Sequence, residues 1–176
     1  MLFVDASTLI LAAKTELLDM FIEASHEPLA VSVEVEKEAT CKNTFDALLI
    51  RQRIDEKKIL AKKVKDSGLV KKMALDFNLH KGEAETIVLC MENGGKAIAT
   101  DDYSAMKACA VLGISYITIL GVLLRLCEQK KLSKAEAKLK LEDLARYGRY
   151  SREIIGDFAQ RLEGWKNAKS LEHEDR

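Results

Sequence analysis

The sequence predicts an α/β domain built on a central, mainly parallel sheet with helices on both faces. Short apolar runs alternate with helical periodicity over the first two thirds of the chain. Two of those runs end directly on aspartate, and the last third is helical alone. Strands separated by helical segments must be joined by crossovers, which is the geometry of a parallel sheet.

Leu2-Phe3-Val4 is a short apolar run closed by Asp5, and Ser7 to Ala13 follows as a helix with Leu9, Ile10 and Ala13 on one side. Glu16 to Glu23 carries Leu17, Leu18, Phe21 and Ile22 at helical spacing. The chain's single proline, Pro28, precedes a strand over Leu29 to Val31. Ser32 then caps a helix whose first turns hold Val33, Glu34, Val35, Glu36 and Glu38, acids suited to the positive end of a helix dipole. A helix over Thr44 to Glu56 presents Phe45, Leu48 and Leu49 as its apolar face, and Ile59 to Val64 is a weak strand.

Asp66 caps a helix bearing Leu69, Val70, Met73 and Ala74. Gly82 precedes another, with Ala84, Ile87, Val88 and Met91 inward, which stops at Asn93-Gly94-Gly95 because glycine adopts the left-handed geometry that ends helices. Lys96 to Thr100 is a strand ending on Asp101-Asp102. Tyr103 to Leu112 is a helix closed by Gly113, and Ile114 to Thr118 is a further strand. Ser133 to Glu136 is a capping box, and Ala137, Leu141, Leu144 and Ala145 form a core-facing stripe that Gly148 terminates. Ser151 starts a last helix with Ile154, Ile155, Phe158, Ala159 and Leu162 on one face, and the polar tail from Trp165 to Arg176 is expected to fray. These signals divide the chain into a core over residues 1–125 and a helical C-terminal extension over residues 126–176, with no linker or internal repeat between them.

Composition narrows the function classes. Apolar residues make up 48% and charged residues 32%, too apolar for a disordered chain and too charged for a membrane protein. The apolar stretch Ile114 to Leu124 is shorter than the roughly 18 to 20 residues a membrane span needs, and the N-terminus lacks a secretory pattern, so a cytoplasmic location is expected. Cys41, Cys90, Cys109 and Cys127 are widely spaced with no zinc-ligand pairing, and the last three fall in apolar helical patterns as reduced core residues. Lys plus Arg and Asp plus Glu both number 28, so any nucleic-acid contact must be local rather than a global basic field.

Ligand sites in open parallel sheets lie at the carboxyl ends of strands, where Asp5 and Asp101-Asp102 fall. One such aspartate alone is more often a solvated helix cap. Two of them, with Glu38 and Glu83 near helix starts, would repel one another unless a divalent cation neutralised them, and an oxygen-only ligand set favours Mg²⁺ or Mn²⁺ over zinc. His80 is expected to be an exposed loop residue and Glu85 a surface residue, since it points away from Glu83 on the same helix. Lys57, Lys58, Lys62, Lys63 and Lys65, with Arg51 and Arg53, form either a solvated basic face or a grip on a phosphate backbone.

The motifs themselves resemble those of PIN-domain nucleases. Phe3-Val4-Asp5-Ala6-Ser7-Thr8-Leu9-Ile10 is similar to the opening motif, and Val35-Glu36-Lys37-Glu38 to the second, with Glu38 the matching acid. Gly82-Glu83-Ala84-Glu85-Thr86-Ile87 resembles the third motif of a prokaryotic subgroup, with Glu83 where most PIN domains have aspartate. Ile98-Ala99-Thr100-Asp101-Asp102 resembles the fourth, selecting Asp102 with Asp101 as the alternative. The order of motifs is the family's, and Leu120 to Leu124 followed by two helices looks like the subgroup's C-terminal part. Where that subgroup often carries an Arg after the Asp pair, this chain has Met106 and Lys107. The Thr-Asp-Asp-Tyr-Ser stretch also resembles PIN domains of rRNA-maturation nucleases, without their zinc ribbon.

The resemblance implies a three-layer PIN fold and endoribonuclease activity with Mg²⁺ or Mn²⁺. Asp5, Glu38, Glu83 and Asp102 would be the catalytic acids, and Asp5, Asp101, Asp102 and Glu83 the metal ligands. Ser7 and Thr100 would support them, and Lys62, Lys63 and Lys107 would hold RNA. A homodimer and a small antitoxin-like protein partner, as in toxin-antitoxin pairs, are also expected. Two other readings compete: a non-catalytic PIN-like module that binds RNA or a protein, and a phosphatase of the haloacid-dehalogenase type. The second of these needs an aspartate where this chain has Ser7.

Overall fold

The computed structural model describes residues 1–164. Five strands, β1 (Leu2–Val4), β2 (Leu29–Ser32), β3 (Ile59–Lys62), β4 (Ala97–Ala99) and β5 (Ser115–Ile117), form one sheet in the order β3-β2-β1-β4-β5. Each neighbouring pair is parallel, with Phe3 beside Ala30 on one side and Ile98 on the other. The chain therefore builds outward from β1 to β3, then returns to lay β4 and β5 on the opposite edge. β1 is the central strand, and the switch of direction falls between β1 and β4.

Alternation along the strands sends successive side chains to opposite faces, and the packing follows it. Val4, Leu29, Val31 and Ala99 face a core shared with Leu9, Leu17, Ile50, Ile119 and Leu123. Phe3, Ala30 and Ile98 face a second core with Val70, Ile87, Val88 and Ala108. The first layer is built from α1 (Ala6–Lys14), α2 (Leu18–Ala24), α3 (Val33–Thr40), α4 (Phe45–Asp55) and α8 (Ile119–Glu128). The second is built from α5 (Ser67–Phe77), α6 (Lys81–Glu92) and α7 (Tyr103–Leu112).

The C-terminal helices α9 (Lys134–Tyr147) and α10 (Arg152–Gly164) pack in sequence, α9 on α8 and α1, and α10 on α9. Leu132, Ala137, Leu141, Leu144 and Leu162 join the same core as Val4 and Leu9. The expected fraying of Trp165 to Arg176 lies outside the described residues.

Several details differ from the sequence reading. On α4 the buried residues are Ala47 and Ile50, while Phe45 is 67% and Leu48 46% exposed, because the inward face is set by α1 and α3 rather than by the largest side chains. Met91 is 42% exposed instead of inward, and Ala145 and Ile154 are also exposed. The strands are shorter than their apolar runs. Thr100 lies just past β4, its N–H still donating to Ile117 O of β5 at 3.0 Å, and Thr118 leaves β5 to cap α8 with its side chain. Cys90, Cys109 and Cys127 are buried free thiols, and Cys41 is exposed. No helix among the described residues is long and apolar enough to cross a membrane.

Candidate metal and catalytic site

Asp5 is the residue after β1 and the N-cap of α1. Its backbone N–H donates to Ala99 O of β4, which brings the ends of the two strands together. Its Oδ1 accepts from Thr8 N at 2.7 Å and from Ser7 Oγ at 3.0 Å, and its Oδ2 accepts from Thr100 Oγ1 at 2.5 Å. Only 1% of Asp5 is exposed. That burial pushes its carboxyl up to about 6; the hydrogen bonds oppose the shift, and the nearby Asp101 charge adds to it.

Asp101 and Asp102 diverge although they are adjacent. Asp101 Oδ2 accepts from Thr8 Oγ1 at 2.8 Å and from Ile119 N at 3.1 Å, and Oδ1 accepts from Tyr150 Oη at 2.6 Å. Burial raises its pKa while these donors pull the other way. Asp102 caps α7 through Oδ1, which accepts from Ala105 N at 2.8 Å, and its own N–H donates to Thr100 Oγ1 at 3.2 Å. Thr100 is thus a relay between the two aspartates, giving its proton to Asp5 and receiving one from the Asp102 backbone.

Glu83 sits in the first turn of α6, where its Oε2 accepts from His80 N at 2.8 Å, the carboxylate half of a capping box. Burial raises its pKa, and the charges of Asp102 and Glu38 raise it further, so these three acids lie within electrostatic reach of one another. Glu38, exposed in the last turn of α3, lies across the start of α6. A Cβ built on Gly82 would stand 3.3 Å from its Oε2. Glu34 is instead ion-paired with Lys81, and no ion pair engages Glu38 among the described residues.

Oxygen donors predominate in this group, and among the described residues no Lys, Arg or His pairs with Asp5, Glu38, Glu83, Asp101 or Asp102. Uncompensated, partly buried carboxylates fit a divalent cation. Among the described residues, however, no three acids already converge on one ion position; Asp5, Asp101, Asp102 and Glu83 are each held by their own internal donors.

The expected RNA-binding lysines separate. Lys107 lies one turn into α7, with its ammonium 4.4 Å from the centroid of the Tyr103 ring, directly after the Asp102 cap. Lys62 donates to Asn93 at 3.4 Å, beyond the far end of α6 from Glu83, and Lys63 is exposed beside it. At the helical rise that is roughly 13 Å or more from the acids along α6. Ser7 is exposed at the mouth of the site. His80 is exposed as expected but caps α6. Glu85 departs from its expected surface position: its side chain is 15% exposed and accepts from Glu34 N at 3.4 Å, because α6 packs against the start of α3.

Two further residues, Thr8 and Tyr150, donate to these acids. Thr8 was legible in principle, three residues after a capping aspartate; Tyr150 carried no local signal. A cavity of about 420 Å³ opens at the other end of the sheet, lined by Leu2, His26, Gly94, Lys96, Ala97 and Arg125 among others. None of the acids lines it.

The fold and these strand-end acids define an α/β domain that gathers carboxylates at a topological switch point. A family model described as a PIN domain matches residues 1–163, and the chain belongs to that family. PIN domains are generally nucleases and generally use divalent metals. No curated protein and no solved structure matches the chain.

Proposed function

We propose that this chain is a metal-dependent endoribonuclease that hydrolyses RNA phosphodiester bonds with Mg²⁺ or Mn²⁺. The observation that supports the reading is the electrostatic proximity of Asp5 to Asp101, and of Glu83 to Asp102 and Glu38, beside the switch point, with none of these acids in an ion pair among the described residues. Bound divalent ions would supply Lewis acidity, easing ionisation of the attacking water and neutralising charge on the leaving 3′ oxygen. Asp5 and Asp102 are the direct ligands in this reading. Glu38 and Glu83 orient the water, and Glu83, its pKa raised by burial and neighbouring charge, accepts the water's proton. Ser7 and Thr100 hold Asp5 in place. Lys107 takes a substrate phosphate, while Lys62 and Lys63 serve only an RNA long enough to reach β3.

Purified protein is incubated with Mn²⁺ or Mg²⁺ and a broad RNA panel beside a known PIN nuclease. Cleavage by both supports the reading, and cleavage by the control alone overturns it. The lack of a three-acid convergence favours one competing reading, a non-catalytic module with structural acids. Metal titration separates the two: a true site gains about 2.7 kcal/mol of stability at a hundredfold excess of ligand over its dissociation constant, and a module without a site gains none. A homodimer and a small antitoxin-like partner belong to the same proposal; sedimentation and a partner gene beside this one would support them.

A further inference from the structure

Asp101 receives donors from three separate parts of the chain. Thr8 Oγ1 comes from α1, Ile119 N from the first turn of α8, and Tyr150 Oη from the connection between α9 and α10. Both carboxylate oxygens are therefore engaged by protein groups. Asp102 differs, since its only side-chain contact among the described residues is through Oδ1. Thr8 in turn gives its hydroxyl to Asp101 and its backbone N–H to Asp5, so a continuous line of hydrogen bonds runs from Tyr150 through Asp101 and Thr8 to Asp5.

The approach of Tyr150 is built into the local chain. Its ring packs against the core that contains Val4 and Leu9. Gly148 lies beneath it, and a Cβ there would collide with Tyr150 Cε2 and stand 2.7 Å from Leu144 O. Gly148 has φ −87°, which any residue adopts, so the glycine is required for space rather than for backbone freedom. The turn after α9 is shaped so that the tyrosine can lie flat over it and reach Asp101.

We propose that Tyr150 is a positioning residue of the nuclease site, and that the C-terminal helices complete this site instead of merely supporting it. The inference rests on the proposed nuclease reading. Removing the Tyr150 hydroxyl leaves Asp101 Oδ1 with only a 3.3 Å contact from Ile119 N. The carboxylate can then turn, Thr8 loses a fixed acceptor, and the Asp5 carboxylate that Thr8 caps is held less tightly. Groups that orient ligand residues in this way typically alter metal affinity or activity by about 10- to 100-fold when removed.

The test compares wild type with Tyr150→Phe, which keeps the ring and drops the hydroxyl, and with Thr8→Val, which cuts the same line on the other side of Asp101. Mn²⁺ dissociation constants are measured by calorimetry, melting temperatures in EDTA, and kcat and KM on a cleavable RNA. The expected result is that Mn²⁺ affinity and kcat each fall by about tenfold or more in both variants, with KM within about twofold of wild type. In the double variant the loss is no larger than the greater single loss, since both act through Asp101. Folded Tyr150→Phe with wild-type Mn²⁺ affinity and kcat overturns the proposal, even with a lowered melting temperature; where that variant does not fold, folded Thr8→Val with wild-type values does the same. Wild-type protein that neither takes up Mn²⁺ nor cuts RNA overturns the nuclease reading itself, a distinct outcome.

Discussion

The Thr100 hydroxyl donates to Asp5 Oδ2 at 2.5 Å, joining the residue after β4 to the residue after β1 across 95 positions of sequence. The bond lies where the sheet reverses its order of growth, and it fixes the carboxylate that burial most disfavours as an anion.

That burial makes metal-free stability depend on pH. The folded Asp5 pKa of about 6 exceeds its ordinary value of 3.8. The contribution is therefore fully present below the unfolded pKa, is lost as pH rises towards 6, and is constant above that. At about 1.36 kcal/mol per pKa unit the cost at neutral pH is on the order of 3 kcal/mol. In EDTA, Asp5→Asn should melt at or above the wild-type temperature at pH 7.5, with the advantage shrinking by pH 5. Asp5→Asn and Asp102→Asn should each abolish RNA cleavage in Mn²⁺. Destabilised but active variants would show that these acids serve the fold alone.

Glu83 has two separable tasks. Glu83→Gln keeps an acceptor for His80 N and should melt near wild type, yet lose cleavage because the amide neither binds a cation well nor takes a proton. Glu83→Ala removes the cap as well and should cost roughly 0.5 to 2 kcal/mol. Thermal melts beside cleavage assays on the two variants check this, and an active Glu83→Gln enzyme would confine Glu83 to capping.

Gly82 offers a test of Glu38 that leaves Glu38 in place. Alanine gains helix propensity of up to about 1 kcal/mol, but its Cβ would press on Glu38 Oε2 at 3.3 Å and Val35 Cγ2 at 3.4 Å. Gly82→Ala should stay folded with a melting temperature close to wild type while kcat falls several-fold. Unchanged kcat would mean that the position of Glu38 is immaterial to the reaction.

Lys107 and the 68% exposed Tyr103 ring stand beside the acids at the start of α7. Lys107→Ala should weaken single-stranded RNA binding and lower the slope of log affinity against log salt by about 0.7, the contribution of one phosphate contact. Filter binding in Ca²⁺ over a salt series measures both quantities. An unchanged slope would place the substrate elsewhere.

Sequence made the strand ends and their acids legible because those signals are local. An apolar run followed by aspartate is both a strand end and a cap, and Asp5 and Asp102 do cap α1 and α7. The contacts that distinguish Asp101 from Asp102 were not legible, since Thr8 lies 93 and Tyr150 49 positions away from Asp101. The Glu83 cap was hidden behind His80, a residue outside the usual N-cap set. On α4 the bulky Phe45 and Leu48 suggested one face, but packing on α1 selected Ala47 and Ile50.

The central position of β1 also governs how the protein comes into being on the ribosome. Leu2–Val4 is synthesised before either of its neighbours, so one of its edges finds a partner only when Leu29 appears, and the other waits for Ile98 and Ala99. Until then a nascent chain carries an open apolar strand edge, the kind of edge that invites mispairing and calls for a chaperone. The same delay keeps Asp5 apart from Thr100, Asp101 and Asp102 while the 95 positions between Asp5 and Thr100 are translated, so the carboxylates that would cut RNA cannot assemble beside the messenger that encodes them until both ends of that span have been made.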